Sequence, residues 1–217
     1  MEKKIILVLF PTIINKFDFQ LGDKEFFLDL ANIKKSFLQK NPKSFRQEEF
    51  LDLVNIDYSS EVWEIIKKRP EPKIVLVNYP QTAKNFVSLN QVLAKEGQKI
   101  NNLILLNISN YELISSIQGE YLICPLCEKI YKKEEVIKED KKFVCPNDKQ
   151  YQFLLEKINK FNEYVIRLYL ENIKELIEKF LESNNPSNIS QLTVNKKEEI
   201  FSGEIQKLLL TIIRNIK

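Results

Sequence analysis

Residues 74–93 read Ile74-Val-Leu-Val-Asn78-Tyr79-Pro80-Gln81-Thr82-Ala-Lys-Asn-Phe-Val-Ser-Leu-Asn-Gln-Val-Leu93. The stretch opens with four apolar residues that do not alternate with polar ones. This is the pattern of a strand buried on both faces. A proline-containing turn follows, and Thr82 is a helix N-cap candidate for a segment predicted to run to Lys95. Gly97 stands just past that end, where a helix stop favours glycine. Strand, turn and helix in this order form one half of a parallel-sheet unit.

The same logic extends outward. Ile5–Phe10 and Leu103–Ile108 are further buried strands, and Gln191–Val194 is a weaker one. Ser59–Arg69 carries Val62, Ile65 and Ile66 on one face and stops before Pro70. Glu112–Ile117 reads as a short helix. Leu154–Leu181 reads as a long one, with Ile158, Phe161, Val165, Leu168, Leu176 and Phe180 at helical spacing. Glu199–Ile213 is the last helix. The expected fold class is α/β, a three-layer parallel sheet flanked by helices. Residues 120–150 break the alternation and contain all three cysteines.

Composition narrows the chemistry. The chain has 217 residues, a net charge of +3 and no histidine. Mechanisms using imidazole as base, shuttle or ligand are therefore excluded. Of the 33 basic residues, 29 are lysines; the arginines are Arg46, Arg69, Arg167 and Arg214. The charge balance does not by itself imply a nucleic-acid partner, and no recognition-helix signature accompanies it. No run approaches the ~18 apolar residues of a membrane span. The N-terminal segment lacks the small-residue cleavage site of a signal peptide, so the expected location is cytoplasmic.

Cys124-Pro-Leu-Cys127 is followed, seventeen residues on, by Cys145-Pro-Asn-Asp148. Two ligands separated by two residues form a metal knuckle, and two knuckles can face each other around a tetrahedral ion. The expected ligand set is Cys124, Cys127, Cys145 and Asp148, holding a structural zinc. The alternative is three small buried thiols, in a segment without another core.

At this point the chain resembles adenylate kinase, a nucleoside monophosphate kinase with a zinc-bearing lid. Asn78-Tyr79-Pro80-Gln81-Thr82 stands where that family has Gly-Phe-Pro-Arg-Thr after a buried strand. A matching helix, the strand Leu103–Ile108, a short helix and Gly119 follow in order. The cysteine set with Tyr131 after the first knuckle then resembles the Gram-positive lid, and Asn162–Leu168 the helix leaving it. Asn55–Arg69 resembles the segment covering the monophosphate. The resemblance implies a P-loop kinase-like core (1–34, 71–119 and 152–217), a small monophosphate-binding lobe (35–70) and a zinc-binding lid (120–151). In the family a phosphoryl group passes from ATP to AMP by positioning and positive charge.

The chemical residues depart from that pattern. The family's glycine-rich phosphate loop is replaced by Leu9-Phe10-Pro11-Thr12-Ile13-Ile14-Asn15-Lys16-Phe17, and no glycine precedes Gly22. Gln81, Glu120 and Tyr121 stand at family arginine positions, and a further arginine is replaced within Ser115–Ile117. Val77 replaces the aspartate that helps hold Mg²⁺. Leu30-Ala31-Asn32 replaces Thr-Gly-Asp, and Asn85 the glutamine that reads the AMP base. The remaining nucleotide-contact candidates are Lys16, where a lone lysine is more often a solvated helix-start residue, and Arg167, equally readable as a helix-surface cation. The expected function is a non-catalytic, adenylate-kinase-like subunit of a larger protein assembly, with ATP and AMP binding in doubt. The competing expectations are a divergent working kinase and a nucleotide sensor without turnover. The aromatics Phe17, Phe19, Phe26, Phe27, Phe37, Phe45 and Phe50 are candidates for an interface or for core packing.

Overall fold

The computed structural model describes residues 3–9, 24–40, 56–108, 121–123, 130–132, 136, 138–139, 142–143, 156–157, 160–195 and 203–216. In chain order the strands are β1 (Lys4–Leu9), β2 (Glu25–Asp29), β3 (Lys73–Val77), β4 (Ile100–Ile108), β5 (Tyr121–Ile123), β6 (Ile130–Lys132), β7 (Lys138–Glu139), β8 (Lys142–Phe143), β9 (Glu156–Lys157) and β10 (Ile189–Val194). The helices are α1 (Leu30–Lys40), α2 (Ser59–Ile66), α3 (Ala83–Ala94), α4 (Lys160–Leu181) and α5 (Gly203–Asn215). The chain divides into two units. One comprises Met1–Phe10, Gln20–Leu106 and Tyr169–Leu192; the other comprises Pro11–Phe19, Asn107–Leu168 and Thr193–Lys217.

Five strands form one sheet in the order β10-β4-β1-β3-β2. The pairs β1–β3, β1–β4 and β2–β3 are parallel. Alternate residues of a strand point to opposite faces, and both sets are buried here. Ile5, Leu7, Leu9, Ile74 and Leu76 join one core cluster, while Ile6, Val8, Val75 and Ile104 on the other parity are equally excluded from solvent. The continuous apolar runs are thus explained, since neither face needs polar residues.

The cluster on the first face also takes Val62 and Ile66 from α2, Phe86, Leu89 and Leu93 from α3, and Ile173, Leu176 and Phe180 from α4. Phe86 and Phe180 meet edge to face with centroids 6.2 Å apart. Thr82 Oγ1 accepts from the Asn85 N–H at 3.2 Å, so it caps α3 as its position predicts. At the other end Gly97 has φ +66°. The Gln98 N–H donates to Leu93 O at 2.9 Å and the Gly97 N–H to Ala94 O at 3.1 Å. This bond pair is a left-handed helix stop that satisfies two end carbonyls.

Several elements differ from the sequence expectation: α1 has no counterpart in it, α5 is described from Gly203, and two further differences concern β2 and the start of α4. β2 was not expected, because Glu25-Phe-Phe-Leu-Asp29 is short and closed by acidic residues. Its pairing with β3 supplies the missing reason, placing Leu28 beside Leu76 in a buried position. Phe26 lies under the Arg69 guanidinium, 4.0 Å from the ring centroid. Phe26 and Phe37 pack against the core, so core packing accounts for these two aromatics. Phe17, Phe19, Phe45 and Phe50 lie outside the described residues. The second difference is at α4, which begins at Lys160 rather than Leu154. Glu156 and Lys157 instead pair antiparallel with Ile123 and Leu122. The short helix expected at 112–117 lies outside the described residues.

In the second unit β5, β6 and β9 form a small antiparallel sheet, and β7 pairs with β8. Ile123 pairs with Ile130 at one end of the β5–β6 ladder. Among the described residues no helix is long and apolar enough to cross a membrane.

The register of β1 against β4 shifts between Ile5 and Ile6. There the Ile5 N–H donates to Asn101 Oδ1 at 2.8 Å, so a side chain does the work of the interrupted ladder. Asn101→Ala is expected to leave that donor unpaired and lower stability by about 1–3 kcal/mol. Urea unfolding with an unchanged m-value is the check.

Candidate functional site at the carboxyl end of β3

In open α/β sheets ligands bind outside the carboxyl ends of the strands, where the strand order reverses. Here the reversal is at β1, with β3 on one side and β4 on the other. The described wall of this region is the turn after β3 together with residues 56–59. Asn78 follows β3 with φ 57° and is 2% exposed. Its N–H donates to Val8 O at 2.8 Å, extending the β1–β3 ladder by one bond. A left-handed backbone costs most L-residues about 1–2 kcal/mol, and asparagine is among the few that adopt it readily. Asparagine thus serves at this position without a glycine. The Tyr79–Pro80 peptide is cis.

Tyr79 turns inward and is 2% exposed. Its Oη accepts from the Tyr58 N–H at 2.9 Å and donates to Asp57 Oδ1 at 3.2 Å, with Ser59 Oγ also at 3.2 Å. Asp57 Oδ1 further accepts from the Ser59 N–H at 2.9 Å and from Ser59 Oγ at 2.5 Å. Ser88 Oγ on α3 donates to Asp57 Oδ2. One helical turn earlier, Asn85 Nδ2 donates to Ile56 O at 3.4 Å. The rings continue the connection. Tyr58 meets Tyr79 at 5.7 Å and Phe37 of α1 at 5.3 Å, both edge to face. Residues 56–59 are therefore held by α1, α3 and the turn after β3 at once.

Burial raises the Asp57 carboxyl, but the hydrogen bonds from Ser59, Ser88 and Tyr79 outweigh it and hold the group below the usual aspartate value. Burial also pushes the Tyr79 phenol well above the ordinary tyrosine value, so its proton stays in place as a donor. These contacts to Asp57 come from neutral donors. The cluster is built to fix a turn, and a carboxylate here gives a phosphate nothing to bind.

The other sequence-derived residues fall as follows. Val77 is buried, 4% exposed, at the end of β3. Gln81 is half-buried. Asn85 is 3% exposed, with its amide committed to Ile56. Asn32 is exposed and its N–H donates to Asp29 Oδ1 at 2.6 Å, which makes Asp29 the cap of α1. Arg167 lies within α4, its side chain outside those described; Tyr121 opens β5. Lys16, Glu120 and the proposed metal ligands Cys124, Cys127, Cys145 and Asp148 lie outside the described residues. Among the described residues no group of three or more potential metal ligands occurs. The Asp57 cluster was missed from sequence. Its one local signal is Asp57-x-Ser59 at a helix start, an acceptor placed two residues before a donor.

A parallel sheet with flanking helices and a site at its strand ends defines a chain of the α/β class. No protein-family model matches it. Over 90 residues it is 32% identical to an adenylate kinase of Chlamydia caviae, a match spanning 39% of this chain and 39% of that protein's length. The match supports a distant relationship to adenylate kinase.

Tyr79→Phe keeps the ring and removes the hydroxyl, leaving the buried Tyr58 N–H without its acceptor. It is expected to destabilise by about 1–3 kcal/mol in denaturant titration. Because the folded Asp57 value is depressed, its contribution is fully present above the unfolded value of about 3.9 and fades as pH falls through the folded one. Asp57→Asn should accordingly narrow its stability gap to the parent as pH drops below about 4. Thermal melts between neutral and acid pH read this directly.

Proposed function

We propose that this chain is a non-catalytic relative of adenylate kinase, a cytoplasmic structural or interaction subunit of a larger protein assembly. The observation that carries the reading is the segment after β1, Phe10-Pro11-Thr12-Ile13-Ile14-Asn15-Lys16, which has no glycine. A phosphate loop needs backbone N–H groups turned inward in conformations that β-branched residues resist. Three further features support it. Val77 offers no carboxylate for a metal, Gln81 offers no guanidinium, and Asn85 is buried against Ile56. Removing one positioned transition-state donor costs roughly 10²–10³ in rate, and lysine does not reproduce the arginine fork. Lys16 and Arg167 remain as cations that an anion could meet, which favours neither reading.

The lobe division at 35–70 and 120–151 belongs to the same proposal. So does a structural zinc on Cys124, Cys127, Cys145 and Asp148. Three thiolates and a carboxylate form an acceptable tetrahedral set. Such an ion would stabilise its segment by on the order of 10 kcal/mol without taking part in chemistry.

The competing reading, a divergent working kinase, is favoured by the 32% identity to adenylate kinase. Purified protein offered ADP with Mg²⁺ is expected to form no ATP above background, and neither ATP nor AMP is expected to raise its melting temperature. Turnover near 1 s⁻¹ or faster, within the ordinary enzyme range, would establish the kinase instead. Nucleotide stabilisation without turnover would establish a sensor. The same preparation should carry about one zinc per chain, lost in Cys145→Ser.

A further inference from the structure

Four strands of the large sheet begin at lysine. β1 opens at Lys4 after Lys3, β3 opens at Lys73, β2 follows Lys24 and β4 follows Lys99. β1 is parallel to both β3 and β4, and β3 to β2, so these starts lie side by side along the amino edge of the sheet. With neighbouring strands about 4.8 Å apart, the four starts span about 14 Å. Lys3 Nζ donates to Arg69 O at 2.5 Å and to Glu71 O at 3.2 Å, which draws the segment Lys67–Lys73 to the same edge. Eight cations and two carboxylates, Glu25 and Glu71, gather there, a net +6 where the whole chain nets +3. Lys67 engages Glu64, and the Arg69 guanidinium stacks on Phe26. Lys24, Lys68, Arg69 and Lys99 are exposed. Burial holds the Lys73 ammonium below the ordinary lysine value, with Glu25 opposing the shift and Lys4 adding to it.

The rest of the chain is therefore net acidic, and part of that charge is ordered on α4. Glu171, Glu175 and Glu178, with Glu182 just past the helix end, are all exposed. At about 100° per residue the four fall within about 60° of arc and run about 16 Å along the axis. They lie opposite Ile173, Leu176 and Phe180, which hold α4 to the core. Lys174 and Lys179 flank the stripe, and Lys179 engages Glu182. Like charges three and four residues apart oppose a helix, and an external row of cations offsets that repulsion.

We propose that the amino edge of the sheet in one copy of this chain docks on the α4 glutamate stripe of a second copy. The two surfaces are opposite in charge and similar in length, and both belong to the same compact unit. Because they are different surfaces of one chain, the contact is head to tail, and successive copies extend into a ring or a filament. The inference is read from charge placement and does not rest on the non-catalytic reading.

Sedimentation velocity on the full chain tests this. At about 0.1 M salt the parent is expected to associate as its concentration rises; at about 1 M, where the screening length falls from about 10 Å to 3 Å, it should be monomeric. Lys68→Glu/Lys99→Glu disables one face and Glu175→Lys/Glu178→Lys the other. Each is expected to weaken self-association about tenfold or more. Each should keep a melting temperature near the parent's, since exposed substitutions move stability little. The two variants mixed should form a dimer that does not extend, because each copy keeps a single competent face. A parent that stays monomeric at low salt would overturn the contact. So would variants that associate like the parent, or a mixture no stronger than its components. Binding of polyglutamate or an RNA oligonucleotide by a parent that stays monomeric would overturn the second copy and assign the edge to another anion. A chain that forms ATP from ADP would lose the non-catalytic reading and keep this contact.

Discussion

The parallel pairing of β1 between β3 and β4 is the constraint on which the other elements depend. A strand buried on both faces has no water to bond its backbone, so each N–H and C=O must find a neighbouring strand. Against β3 the register runs unbroken from Lys4 to Val8, and Asn78 N–H extends it by one further bond. Against β4 it slips, and Asn101 repairs the slip with its side chain. Once β1 is enclosed in this way, the apolar parity of its residues decides where α2, α3 and the C-terminal half of α4 can bury their faces.

The end of β3 shows what the fold does with that rigidity. Asn78 is held in a left-handed conformation, which turns Tyr79 back into the interior. The tyrosine ring fills space between Tyr58 and the sheet, while its hydroxyl binds a turn that begins more than twenty residues earlier. The polar cluster is buried in part and well satisfied, with Asp57 bonded by neutral donors. Partly satisfied clusters of this kind are costly, and complete ones give a turn a single conformation. The arrangement fixes the conformation of residues 57–59 against Tyr79 and Ser88.

The relationship to adenylate kinase and the proposed loss of its chemistry are compatible on physical grounds. Scaffold positions answer to packing, capping and backbone geometry, and these tolerate Asn78 for glycine or Tyr79 for phenylalanine. Chemical positions answer to charge and close approach, which Gln81, Val77 and Ile13 do not supply. A fold can therefore be maintained while the site built on it changes.

Much of the fold was legible because its signals are local. Continuous Ile, Leu and Val runs have few stable places other than buried strands, and β1, β3 and β4 lie where those runs lie. Thr82 and Gly97 cap α3 because a cap is decided by the residues next to it. β2 was not legible, since a short stretch with acidic ends becomes a strand through the neighbour it acquires. The start of α4 moved for a similar reason: Glu156 and Lys157 took part in pairing with β5, a competitor that helical periodicity does not contain. The site divided along the same line. That no glycine precedes Gly22 and that Gln81 is not an arginine can be read from residue identity alone. The Asp57, Tyr79, Ser88 and Asn85 cluster could not. Each of those residues is equally at home in solvent, and their meeting is decided by strand order and by the packing of α2 against α3, which bring distant segments within hydrogen-bonding range.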